Sequence, residues 1–349
     1  MIYGATGYTG ELAAREAVRR GLRPVLAGRD AAKVGPLAGE LGLDFRTFPL
    51  DDPGAMAAGL AGMAAVLHCA GPFIRTSAPM VRACLAASAH YLDITGEIPV
   101  FEEVLSRGEE ARRAGVALLP GVGFDVVPSD CLAARLAAAL PDATDLTLAF
   151  YSERGELSRG TLKTMIESLP HAGAIRRKGR IVPVPVAFDV REIDFGEGLR
   201  RSTMTIPWGD VSTAWHSTGI PNIRVYTGVP PRLIRRARFW DWLLPVAGYP
   251  PIKRFLQRQV DKRVTGPGAE VRATARVHLW GEVRNAGGRT VTATLETPES
   301  YAFTAFSAVE CAVRAADGQV TPGAWTPSRA FGADFITEIP GVVAGELHG

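Results

Sequence analysis

Over its first 120 residues the chain alternates short apolar runs with stretches whose apolar positions recur three and four apart. The runs are "MIY" (1–3), "RPVLA" (23–27), "FRTF" (45–48), "AVLHC" (65–69), "HYLDI" (90–94) and "VALLP" (116–120). Between them, "AAKVGPLAGELG", "SAPMVRACLAAS" and "VFEEVLSRGEEARRAG" have helical periodicity. Six strands alternating with helices predict a doubly wound parallel sheet, because a parallel neighbour is reached only through a crossover, usually a helix.

The pattern changes after residue 128. "SDCLAARLAAAL" reads as a helix with Ser129 and Asp130 as candidate caps, and "DLTLAFYS" (145–152) and "EVRATARVHLWGEV" (270–283) read as strands. The second of these, joined through "RNAGG" to "RTVTATLET" (289–297), predicts a long hairpin. "SYAFTAFSAVECAVRAAD" (300–317) returns to helix, and "TPSRAFGADFI" (326–336) is expected to pack back on the first domain. The fold class expected is α/β, with an N-terminal Rossmann-type doubly wound parallel sheet and a second α+β domain whose sheet is largely antiparallel. The predicted domains are 1–128, 129–318 and a C-terminal segment 319–349, a division that 349 residues favour over one core.

The first strand runs straight into "GATGYTG", with Gly4, Gly7 and Gly10 at three-residue spacing before the helix-like "ELAAREAVRRG". In a strand–turn–helix of this kind the first glycine permits the tight turn. The second lets backbone approach a pyrophosphate, and the third lets the helix press on the sheet. Thr6, Gly7, Tyr8, Thr9 and Gly10 are therefore candidate dinucleotide contacts, with the amides of Tyr8, Thr9 and Gly10 at a helix N-terminus. About 20 residues further on, an NAD-binding fold would place an acidic residue for the ribose 2′-hydroxyl. Here "LAGRD" supplies Arg29, whose guanidinium suits a 2′-phosphate, while Asp30 falls where a helix N-cap belongs. The expected cofactor is NADP(H).

Composition narrows the remaining classes. A net charge of +3 gives no reason to expect nucleic-acid binding, and Cys69, Cys84, Cys131 and Cys311 show no C-x-x-C pair, so neither a disulfide framework nor a metal site is expected. The glycine turn at residue 4 leaves no room for a targeting peptide and no apolar run is long enough to span a bilayer, so a cytoplasmic location is expected. The segment 232–263 stands apart, with nine Lys or Arg against two Asp. It reads either as a helical pair with Phe239, Trp240, Trp242, Leu243 and Leu244 turned into the core, or as an apolar lid or a surface resting on membrane or an acidic carrier.

Taken in order, "GATGYTG", "LAGRD", "HCAGPF" (68–73), "HYLDITGE" (90–97), "PGVGFDVVPSD" (120–130) and, in the tail, "TPSRAFG" resemble the saccharopine dehydrogenase-like oxidoreductases. Within them the chain is most similar to the branch that includes the trans-acting enoyl reductases. The likeness is dense over residues 1–135 and thin between there and the tail. It implies that Cys69, Ala70, Gly71 and Pro72 form a loop beside the nicotinamide ribose, that Asp93, Thr95, Gly96 and Glu97 end the fifth strand, and that Gly121, Gly123, Phe124 and Asp125 end the sixth.

The function expected is an NADPH-dependent reductase that delivers hydride to an activated C=C bond on a bulky apolar substrate, free or carrier-bound, with a homodimer as the expected assembly. C=N chemistry and a non-catalytic NADP-sensing role are the alternatives. Tyr91, Asp93, Glu97 and Asp125 are the candidate proton donors near the crevice, and alternation puts Tyr91 and Asp93 on one strand face. "DITGE" reads equally as a capped turn and "GFDVVPSD" as a domain crossover. Tyr249 and Lys253 have the Y-x-x-x-K spacing, but Pro250 and Pro251 between them argue against a shared helical face. His68 and His90 read as core or turn residues.

Overall fold

The computed structural model describes residues 1–168, 173–240 and 249–349, without the side chains of Ser168, Trp240 and Asp261. The chain divides into two units, residues 1–127 with 301–331, and residues 128–300 with 332–349.

The first unit is a parallel sheet built as the apolar runs predict. Its strands are β1 (Ile2–Tyr3), β2 (Leu26–Gly28), β3 (Phe45–Thr47), β4 (Ala65–His68), β5 (His90–Asp93) and β6 (Ala117–Leu119). A seventh strand, Gly323–Ala324, pairs in parallel with β6, giving the order Gly323–Ala324, β6, β5, β4, β1, β2, β3. The crossover helices are α1 (Tyr8–Arg19), α2 (Ala31–Leu41), α3 (Pro53–Leu60), α4 (Phe73–Ala87), α5 (Ile98–Ser106) and α6 (Gly108–Ala114). The order reverses between β1 and β4, so ligands belong at the carboxyl ends of these strands, where the crossovers diverge. Tyr3, Val66, Met80, Tyr91 and Leu118 are buried in one cluster between sheet and helices.

In the second unit, α7 (Val127–Ala139) precedes β7 (Ala143–Ser152), β8 (Ala174–Arg177), β9 (Arg180–Pro183), β10 (Val190–Asp194), β11 (Arg200–Thr205), β12 (Asn222–Gly228), β13 (Arg276–Asn285) and β14 (Thr290–Pro298). With the short strand Val343–Ala344 they form a mixed, mostly antiparallel sheet in which only the β7–β12 pair is parallel among the described residues. The hairpin of β13 and β14 forms as expected from the runs joined through "RNAGG", with buried and half-buried positions alternating from Arg276 to Val283 and along all of β14. Gly281 in β13 leaves room for α7, since a Cβ there would lie 2.5 Å from Leu136 Cδ1.

Several expectations are corrected. The helix Ser300–Ala316 belongs to the first unit, and the C-terminal segment returns to that unit only as far as Phe331; residues 332–349 belong to the second, where Val343–Ala344 pairs with β14. Residues 269–274 are a short helix, and the strand begins at Arg276. Pro250 and Pro251 open a helix, Pro250–Arg263, at positions where a missing amide costs nothing, with Tyr249 as its cap. Phe239 is 67% exposed and so is not a core residue. The same expectation for Trp240, Trp242, Leu243 and Leu244 rests on side chains outside the described residues. Among the described residues no helix is long and apolar enough to cross a membrane, and no group of three or more His, Cys, Asp or Glu could hold a metal ion.

Candidate functional site

The glycine turn closes by short-range necessity. Gly4 sits at φ +83°, where side chains are strained, and a Cβ on it would lie 2.8 Å from Ala70 N. Its amide donates to Ala27 O (2.8 Å), and the Gly7 amide donates back to Gly4 O (2.9 Å). A Cβ on Gly10 would stand 2.3 Å from Gly4 O, so only glycine lets α1 start this close to the strand. Gly7 is the N-cap of α1, and no side chain caps the helix. Thr6 and Gly7 are exposed, with Tyr8 and Thr9 half-buried behind them. A turn with this backbone and no capping side chain fits a pyrophosphate at the positive end of α1.

At the end of β2, Asp30 is committed elsewhere: its side chain accepts from Ala32 N (3.0 Å) as the cap of α2. Arg29 is exposed and makes no hydrogen bond or ion pair among the described residues. A free guanidinium one residue beyond the strand fits a 2′-phosphate, for which a capping carboxylate leaves no competitor.

The loop after β4 carries Cys69, Ala70, Gly71 and Pro72. Cys69 N donates to Tyr3 O (2.7 Å), tying the loop to β1, and Thr76 Oγ1 donates to Ala70 O (2.7 Å). Burial pushes the Cys69 thiol up to about 12, so it remains a neutral thiol. The first amides of α4 are taken by Glu97, whose Oε1 and Oε2 accept from Phe73 N (2.7 Å) and Ile74 N (2.9 Å). The N-terminus of α4 is thus capped by a buried carboxylate, whereas that of α1 has no side-chain cap.

Of the four candidate proton donors, three have structural work. Tyr91 is fully buried in the core cluster and its hydroxyl donates to Asp93 Oδ2 (2.6 Å). Asp93 Oδ1 accepts from Thr95 N (3.0 Å) and Gly121 N (2.8 Å), joining the loops after β5 and β6. Burial holds its carboxyl up at about 6 despite those hydrogen bonds. Tyr91, Asp93 and Glu97 are therefore engaged in hydrogen bonds that hold the loops after β4, β5 and β6.

Asp125 differs. It is partly exposed, its carboxylate accepts no hydrogen bond among the described residues, and it lies over Gly96, where a Cβ would come within 2.5 Å of Oδ2. Burial without a hydrogen-bond donor raises its carboxyl to about 7.

The sequence reading missed what holds this loop. Thr304 Oγ1 accepts from Phe124 N (2.9 Å), and Ser307 Oγ donates to Val122 O (2.8 Å), both from the helix Ser300–Ala316. The same helix stacks Tyr301 edge-on against Tyr8 at 5.0 Å and pairs Glu310 with Arg20 at 2.9 Å. One helix, far away in sequence, thus braces both α1 and the Asp125 loop. Its only sequence signal is a pair of hydroxyls three apart on an otherwise apolar face. His68 and His90 are structural: His68 is buried, held neutral with its pKa lowered to about 3, and His90 Nδ1 accepts from Ala117 N (2.9 Å). Lys253 is ion-paired with Glu167 at 2.7 Å, and Tyr249 is exposed. Two cavities, of about 510 and 200 Å³, are lined wholly by residues of the second unit and are rich in charged side chains, among them Asp194 and Glu197 in one and Arg191 and Arg224 in the other.

A parallel sheet with a glycine-rich first turn, an arginine after the second strand and free backbone at its carboxyl edge defines a dinucleotide-binding domain. Residues 1–119, about a third of the chain, match the family model of the saccharopine dehydrogenase NADP binding domain, so this stretch is similar to the NADP-binding domains of that family. The chain is 36% identical over 186 residues to a putative trans-acting enoyl reductase of Mycobacterium tuberculosis, covering 49% of this chain and 44% of that protein. It is 30% identical over 185 residues to a trans-acting enoyl reductase of Mycobacterium leprae, covering 48% and 44%. The chain spans about half the length of the curated relatives it matches. Its fold is that of the L-Glu-forming saccharopine dehydrogenase of Saccharomyces cerevisiae, with a TM-score of 0.64 at 11% identity over 99% of this chain and 98% of that one. The homospermidine synthase of Legionella pneumophila, solved with NAD, has the same fold, with a TM-score of 0.62 at 12% identity over 99% and 90%.

Proposed function

We propose that the protein is an NADPH-dependent reductase that saturates an activated C=C bond on an apolar acyl substrate, with Asp125 as the proton donor. The observation that carries this reading is the Asp125 carboxyl, partly exposed in the turn between β6 and α7 and accepting no hydrogen bond among the described residues. The names of the relatives that match the chain at 30–36% identity support the enoyl class.

When bound, NADPH supplies a hydride. Arg29 would hold its 2′-phosphate, the backbone of Thr6 to Gly10 its pyrophosphate, and the small residues Cys69 to Pro72 would give the nicotinamide ribose close approach to the sheet. Burial raises the Asp125 carboxyl to about 7, so it keeps its proton much further toward neutral pH than an ordinary carboxyl, as a general acid requires. Asp125 would give the proton on its carboxyl oxygen to the α-carbon of an enoyl thioester and be left as the carboxylate. Tyr91 and Asp93 keep the loops after β5 and β6 in register, and Glu97 fixes the start of α4; these are positioning residues.

The test is NADPH consumption, followed by absorbance, over a panel of enoyl thioesters of increasing chain length, enones and imines. Turnover of enoyl thioesters with little of imines is expected. Turnover confined to imines would move the reaction to C=N chemistry, and no turnover of any class would leave a cofactor-binding protein without this activity.

A further inference from the structure

The helices Pro231–Trp240 and Pro250–Arg263 together contain nine Lys or Arg and a single carboxylate, Asp261. In the first, Arg232, Arg235, Arg236 and Phe239 are exposed and spaced three and four apart, so they share one face, while Ile234 is buried on the other. Arg238 is not part of that face, because its Nε and Nη2 donate to Ala187 O (3.0 and 2.8 Å). In the second, Lys253 and Gln257 turn inward to Glu167, at 2.7 and 3.3 Å, and anchor the helix. Its exposed face carries Arg254, Phe255, Arg258 and Lys262, again at helical spacing. Phe239 is 67% and Phe255 59% exposed, and neither gains anything from water. Each helix thus carries a largely exposed phenylalanine on the same face as exposed cations.

We propose that these two outer faces are a docking surface for an anionic lipid bilayer, which goes beyond the reductase reading and does not depend on it. The arginines and lysines meet the negative headgroups, and the phenyl rings enter the headgroup–acyl boundary, where burial of apolar area adds to the electrostatic attraction. An acidic soluble carrier would answer the charges and leave two exposed phenylalanines on the same faces without a role.

Flotation of the full chain with vesicles of phosphatidylcholine alone, and of phosphatidylcholine mixed with phosphatidylserine, tests the proposal. Binding to the mixed vesicles only, weakened by salt, is expected. Replacing Arg232, Arg235 and Arg236 with Ser should cost roughly fivefold per residue, about a hundredfold together. Phe239→Ser with Phe255→Ser should remove the binding that survives high salt, with the circular dichroism spectrum unchanged in both sets. Absence of vesicle binding at low salt, binding that neither set of variants alters, or capture by an acidic acyl carrier protein in place of vesicles would each overturn it. Since partition is read without turnover, a protein that floats but fails to consume NADPH would sink only the reductase assignment.

Discussion

Replacing Arg29 with Ala should separate the two nicotinamide cofactors. The side chain is exposed just beyond β2 and makes no hydrogen bond or ion pair among the described residues, so its removal breaks none of these. Asp30 next to it is fixed as the cap of α2, its Oδ2 3.7 Å from Lys33 Nζ, and is not free to take over the ribose. A hydrogen bond to a charged group contributes about 1.5–3 kcal/mol, and exposure to solvent places this one near the lower figure. NADPH affinity should therefore fall roughly tenfold to thirtyfold, and less at high salt, while NADH affinity changes by less than about twofold. Titration of both cofactors by nicotinamide fluorescence, on wild type and Arg29→Ala, reads the two constants directly. Equal losses for both cofactors would remove Arg29 from the 2′-phosphate.

Three further substitutions probe the frame around the cofactor. Gly10→Ala forces a Cβ to within 2.3 Å of Gly4 O, backbone that cannot turn away, and should lower stability by about 1–3 kcal/mol in chemical denaturation; an unchanged midpoint would mean α1 is free to shift. Glu97→Gln keeps one acceptor for two amides, so either Phe73 N or Ile74 N is left buried without its partner, at about 1–3 kcal/mol. Its kcat per folded molecule should stay at the wild-type value, and a fall in kcat without loss of stability would make Glu97 catalytic. Thr304→Val orphans Phe124 N and should loosen the Asp125 loop, seen as faster amide exchange at residues 121–126 with the sheet strands still protected.

The raised carboxyls also set a pH dependence of stability. Asp93 and Asp125 hold their protons more tightly when folded, at about 6 and about 7, than the ordinary carboxyl does in an unfolded chain. Their contribution is present in full below about pH 4 and is lost as pH rises through those values.

The first unit was legible because its constraints are local. "GATGYTG" works through backbone clashes a few residues apart, and "LAGRD" resolves into a free arginine and a capping aspartate by position alone. The choice among Tyr91, Asp93, Glu97 and Asp125 was not legible, because it turns on which carboxylates find backbone donors: Glu97 and Asp93 do, from segments 24 and 28 residues away. The second unit was harder still. Strands such as "REID" in β10 and "RRSTMT" in β11 carry charges at consecutive positions, hence on both faces, and lack a clear apolar alternation. "AEVRAT" alternates like a strand but forms a helix of six residues. Pro250 and Pro251 keep Tyr249 out of the helix that carries Lys253, and their place at its start makes them initiators, which the spacing alone does not reveal.

Asp125 as the acid is tested most directly by the pH dependence of kcat with an enoyl thioester and saturating NADPH. The active form is the protonated one, so wild-type kcat should be flat below about pH 7 and fall tenfold per unit above it. Asp125→Asn should lower kcat by about 10²–10⁴-fold and abolish that limb, with NADPH affinity retained. An Asn variant with wild-type kcat and the same alkaline limb would contradict the assignment.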